Sequence, residues 1–228
     1  MIAMRNRPHP FASYRWITVP FETAPKNTID RLLDILLSYP RCLYVGDIAS
    51  RQSNPGLNKL GSELYEVLHS LLHELEAWWL QHISEINSSG DREDFYGIAP
   101  ILVLSALDIS ALSRVSYYDT STATFIALYH TALIASYSHL SHISALADVY
   151  EPRIKQHAEA VMAANTFLKS HLSIAPGGGS MLLMLFPLKI VGLLSPSLHQ
   201  RSDAARQLRD WNQNAGFCNT PTIPDIIS

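Results

Sequence analysis

Histidine is the residue type in this chain with the most capacity for chemistry, and there are ten of them. Neutral imidazole ligates metals, and its ordinary pKa near neutrality suits it to proton transfer. His69 and His73 stand one helical turn apart and His139 and His142 three residues apart, so each pair can place two imidazoles on one helix face. A zinc centre needs more than a pair: structural sites take four protein ligands and catalytic sites three. The His69 pair lacks the His-Glu-x-x-His order that joins ligands to a general base. Neither pair has an evident third ligand nearby in sequence. Both are therefore read as flanking or hydrogen-bonded helix histidines, with no metal and no cofactor expected.

Proton transfer is the second chemistry to weigh. His82, close to Trp79 in the apolar arc of its helix, together with Tyr129 and His130, are the candidates for lining an apolar ligand pocket. A helical cyclase or isomerase would need such titratable groups inside an apolar cavity. The competing reading of His82 is a satisfied core histidine. Tyr117, Tyr118, Tyr129 and Tyr137 lie in the same region, where aromatic residues at helical spacing are ordinarily core. No Gly-x-Ser-x-Gly elbow is present to anchor a hydrolase triad. No catalytic residue is assigned.

One further stretch invites a chemical reading, PGGGSMLLMLFPLKIVGLL, from Pro176 to Leu194. A phosphate loop of the Walker type needs Gly-Lys-Ser/Thr opening a helix, whereas Gly179-Ser180 here runs straight into Met181. A spanning helix needs about 20 apolar residues, and Met181 to Leu194, interrupted by Pro187 and Lys189, is too short. The glycines are read as ending one helix and permitting a reversal. Met181 to Phe186 is expected to be a short buried helix, with Pro187 opening a second, offset segment. Phe186 and Leu188 should then fill the core, and Lys189 should reach the edge on its apolar stem.

The elements that must position these residues are helices throughout. Residues 1–26, broken by Pro8, Pro10, Pro20 and Pro25, are expected to be irregular. A helix capped by Asn27 or Thr28 should stop before Pro40, followed by a loop containing Gly46, Asn54, Pro55 and Gly56. Leu57 to about Ser84 has the clearest pattern, with Leu57, Leu60, Leu64, Leu68, Leu71, Leu72, Leu75, Trp79 and Ile83 at spacings of three and four. Asn87 to Asp94 (NSSGDRED) reads as a polar linker, and Ile98 to Leu112 as helical or partly extended. Asp119 or Thr120 caps a helix to about Ile143 that is apolar nearly all round, which belongs at the centre of a bundle. Pro152 opens a helix to about His171, and Ser202 to Asn212 forms another. The expected fold is all-α, a single helical domain of about seven helices over residues 27–217, with a tail at 218–228.

Composition narrows the function classes. Apolar residues make up 47% of the 228 residues and charged residues 16%, low against about 25% charged in an ordinary soluble domain. That balance implies a heavily buried core or an extensive interface. The net charge of −3 and pI near 6.3 supply no basic field to draw the chain to nucleic acid or to anionic membranes. Met1 to Pro10 lacks the apolar core of a secretory signal, so Cys42 and Cys218 are expected as reduced thiols in a nuclear or cytoplasmic setting.

The order HAEAVMAANTFLKSH (His157–His171), a Gly-containing break, LFPLKIV (Leu185–Val191) and ARQLRDWNQNAGF (Ala205–Phe217) resembles the carboxy-terminal part of the fungal-specific transcription factor domain, the helical regulatory region behind binuclear zinc-cluster heads. Phe186, Pro187 and Leu188 match a Phe-Pro-Leu-Arg-like signature of that family, with Lys189 in place of the arginine. Gly216 and Phe217 match its closing Gly-Phe, and Asp119 to Leu140 resembles its central helix. The likeness covers about residues 95–217. A binuclear cluster is held by six thiolates, and this chain has two cysteines, so it cannot form that head. The resemblance implies a headless regulator of transcription in a filamentous fungus, with a setting in a specialised-metabolite gene cluster. It would act through a protein partner, a homo-oligomer or a small-molecule ligand, without direct specific DNA binding and without a membrane. The alternative is an enzyme of secondary metabolism on the same helical scaffold.

Overall fold

The structure is a computed structural model that describes residues 18–51, 57–88, 120–144, 146–171 and 178–215. Among the described residues all regular structure is helical, with no strand: a short 3-10 turn at Val19–Phe21 and six α-helices. These are α1 (Thr28–Arg51), α2 (Leu57–Ser88), α3 (Thr120–Ser144), α4 (Ala147–His171), α5 (Gly178–Leu194) and α6 (Leu198–Ala215). The segment Ile98 to Leu112 lies outside the described residues, as do Asp119, Tyr117, Tyr118, Gly216 and Phe217. The chain divides into two compact units, Met1–Ser89 and Gly90–Ser228. The division falls inside the polar NSSGDRED stretch.

In the first unit α1 packs against α2. Asn27 starts α1 with a reciprocal cap: its Oδ1 accepts the Asp30 N–H at 2.9 Å, and Asp30 Oδ2 accepts the Asn27 N–H at 3.0 Å. Two otherwise orphaned donors are satisfied, and the Asp30 carboxylate sits at the positive end of the helix dipole. The Trp78 indole N–H donates to the Thr28 carbonyl at 2.6 Å, tying α2 to the start of α1. Leu64, Leu68, Leu71, Leu72, Leu75, Trp78 and Trp79 are buried along α2, as is Leu32 on α1. Each such side chain contributes about 1.5–3 kcal/mol. Helix α1 does not stop before Pro40 but runs on to Arg51, taking in Gly46. Proline removes one i→i−4 bond, and here that loss does not end the helix.

In the second unit α3 and α4 form an antiparallel hairpin, α3 also packs on α5, and α5 packs on α6. Helix α3 is buried on nearly every side, from Ala123 to Leu140. Small residues at Ala127, Ala132 and Ala135 on α3 and at Ala158, Ala160 and Ala164 on α4, all buried, let backbones approach closely. Helix α4 begins at Ala147, ahead of Pro152, because the Leu146 carbonyl accepts both the Val149 and Tyr150 N–H groups and closes an earlier turn.

Helix α5 is the largest departure from expectation. Gly178 and Gly179 open this helix rather than end the previous one, and it runs unbroken through Pro187. An interior proline costs about 3 kcal/mol. Burial of Met184, Leu188 and Val191, at about 1.5–3 kcal/mol each, more than offsets it. Two polar clusters hold α6 in place. The fully buried Asn165 accepts the Trp211 indole N–H at 2.9 Å and donates to Gln207. Ser197 Oγ accepts the Gln200 N–H at 3.4 Å at the start of α6, and the Gln200 amide donates to the Lys155 carbonyl at 3.0 Å.

Candidate functional site

The hairpin α3–α4 assembles an aromatic ladder from residues far apart in sequence. His130 and His157 meet through Nδ1 atoms 3.0 Å apart, with ring centroids 5.1 Å apart. His157 stacks on Tyr137 at 5.7 Å with the rings 6° from parallel, and Tyr137 stacks on Tyr150 at 5.8 Å. Tyr129 meets His130 edge-on at 5.2 Å. Arg153 donates to the Tyr137 hydroxyl at 3.4 Å and lies over its ring at 5.5 Å. Tyr137 is seven residues from His130, and His157 seven from Tyr150. Two turns of each helix therefore bring the same face round twice.

The Nδ1–Nδ1 contact fixes the proton inventory. One imidazole must carry its proton on Nδ1 to donate, and the other must hold its proton on Nε2 and accept. Burial holds His130 well below the usual imidazole range, and the neighbouring His157 adds to that. His157 is lowered to about 3, first by burial and then by the Arg153 charge. Both rings are neutral at pH 7. A general base is most effective with a pKa near the working pH, so this pair is poorly tuned for acid–base catalysis. The Arg153 charge that disfavours a proton here also disfavours a metal cation.

Of the residues singled out in the sequence, Tyr129 and His130 are brought together, buried in the core of the second unit. His82 belongs to α2 of the first unit, and its side chain lies outside what is described. His69 and His73 are exposed. His139 is lowered by burial and then by His142. Among the described residues no three His, Cys, Asp or Glu side chains converge to hold a metal ion. Sequence reasoning missed His157, Tyr150 and Arg153. Their signal was the repeat of aromatic residues seven apart on two helices joined by a short connection.

The second feature is a surface. Helix α5 turns Leu182, Leu183 and Phe186 outward at 45–50% exposure, with Ile190, Leu193 and Lys189 half-buried on the same side. Phe186 thus does not fill the core; Leu188, two residues on and fully buried, does. Pro187 is buried and Lys189 lies at the rim of the apolar face. Helices α5 and α6 together carry Lys189, Arg201, Arg206 and Arg209 against Asp203 and Asp210. Both anions are engaged, Asp203 by Arg206 and Asp210 by Lys169.

Among the described residues no helix is long and apolar enough to cross a membrane. Comparison of the chain with protein-family models, with curated proteins and with solved structures returned no match.

Proposed function

We propose that this chain is a regulatory interaction protein of transcription without a DNA-reading head of its own, working in the nucleus or cytoplasm of a filamentous fungus in the context of a specialised-metabolite gene cluster. The observation that carries the reading is the outward apolar face of α5. Phe186 and Lys189 of that face belong to the Phe186-Pro187-Leu188-Lys189 segment on which the resemblance rests, while Pro187 and Leu188 are buried beneath it. Contiguous exposed apolar side chains on a charge-poor chain favour a protein contact. The arrangement of about seven helices around α3, expected from the helical periodicity and the all-round apolar pattern of that helix, is part of the same proposal.

The test is a tethering experiment. Fused to an unrelated DNA-binding head, the full chain should change output from a reporter carrying that head's site, and Phe186→Asp should abolish the change. Unaltered reporter output, or a sequence-specific mobility shift by the chain alone, would defeat the proposal.

The enzyme reading draws on one observation, the convergence of His130 and His157. Their lowered basicity and their enclosure between two helices weigh against it. An activity with its basic limb near pH 7 that His157→Gln removes would restore it.

A further inference from the structure

We propose that the α5 face receives an amphipathic helix whose flanks are acidic; this rests on reading that face as a docking surface. The apolar face runs from Leu182 to Leu193, about 17 Å along the axis at 1.5 Å per residue. That matches three turns of a partner helix presenting apolar side chains at i, i+3, i+4 and i+7. Phe186 lies near the middle, where a hot-spot aromatic residue belongs.

Charge selects the occupant. Helix α5 contains no acidic residue, and its one charge, Lys189, stands at the rim of the apolar face. Helix α6, packed against it, adds Arg201 and Arg209, both exposed. Packed helices lie about 8–10 Å apart, within about one Debye length at physiological salt. Their charge adds to the positive field of the α5–α6 pair. The α5–α6 pair has four cations against two anions, a net +2, in a chain of net −3. A second copy docked face to face would bring Lys189 against Lys189 and add like-charged α6 helices, which complementary interfaces avoid. A partner helix with glutamate or aspartate beside its apolar stripe satisfies both the apolar strip and its rim.

The experiment uses the full chain and two synthetic helices with the same leucine stripe, one flanked by glutamate and one by lysine, followed by fluorescence anisotropy. The glutamate helix should bind at least about tenfold more tightly, and its affinity should fall as salt rises. Phe186→Asp should weaken it about tenfold or more. Lys189→Glu combined with Arg201→Glu and Arg209→Glu should reverse the preference. All four side chains are exposed or half-buried, and an unchanged circular dichroism spectrum verifies that the variants fold. Equal or tighter binding of the lysine helix, or indifference to Phe186→Asp, overturns the proposal. So does a concentration-dependent dimer, seen by light scattering, that Phe186→Asp dissolves, because a second copy would then be the occupant. If the peptides fail while the reporter still responds to Phe186→Asp, the acidic chemistry alone is wrong. If both fail, the docking surface itself is wrong.

Discussion

His130 and His157 share one proton across 3.0 Å between α3 and α4, stacked at the end of a ladder that continues through Tyr137 to Tyr150. The contact joins two helices and needs one of the two rings to stay neutral as acceptor. Protonation of both rings removes the only acceptor and places two charges beside Arg153. The pair therefore acts as a packing element whose integrity depends on pH.

Acid should weaken the fold through this pair. An unfolded histidine titrates near 6.5, whereas His157 in the fold titrates near 3 and His130 is also lowered. Between those values the unfolded chain binds protons that the folded chain does not. The contribution of His157 is complete above about pH 6.5 and declines as pH falls toward 3, at roughly 1 kcal/mol per pH unit, and His130 acts in the same direction. Denaturation midpoints measured from pH 7.5 down to 4 should fall more steeply for the native chain than for His130→Gln/His157→Gln. Parallel profiles would mean that the two histidines titrate normally in the fold.

Phe186 and Leu188 should separate cleanly on substitution. Leu188 is 0% exposed and Phe186 50% exposed. Leu188→Ala removes a core side chain and should cost about 2–5 kcal/mol. Phe186→Ala, on the surface, should cost under about 1 kcal/mol. Thermal melting of the two variants side by side checks this, and a larger loss at Phe186 would place that ring in the core instead.

Asn165 should behave as a polar pin. It satisfies the buried Trp211 N–H and donates to Gln207. Asn165→Leu preserves volume but leaves the indole N–H without its acceptor, at about 1–3 kcal/mol. Chemical denaturation should register that loss, and Trp211→Phe in the same background should recover part of it. Full additivity of the two substitutions would show that they do not interact.

Asn27→Ala should cost about 1 kcal/mol by opening the reciprocal cap of α1, and Asn27→Asp should cost much less. Hydrogen exchange at the first turn of α1 should speed up in the alanine variant only.

Periodicity alone settled where several helices lie and which way they face. The leucines of α2 fall at spacings that leave one stripe, and from Leu64 to Trp79 that stripe is buried; Asn27 announces the start of α1 by its short side chain. The all-round apolar pattern of α3 already required burial within its unit. Tertiary structure decided the rest. The three interior prolines, Pro40, Pro152 and Pro187, each read as a boundary in the sequence. A proline removes one backbone bond, and packing elsewhere on the helix determines whether that loss is tolerated. His157 joined His130 only through the register of the α3–α4 hairpin, which depends on long-range pairing rather than on local spacing. Helix α5 makes the limit plainest. Leu182, Leu183 and Phe186 on one side and Met184, Leu188 and Val191 on the other are equally apolar, so hydrophobicity could not tell inside from outside. The neighbouring helices α3 and α6 cover one side, and among the described residues Phe186 is left half exposed.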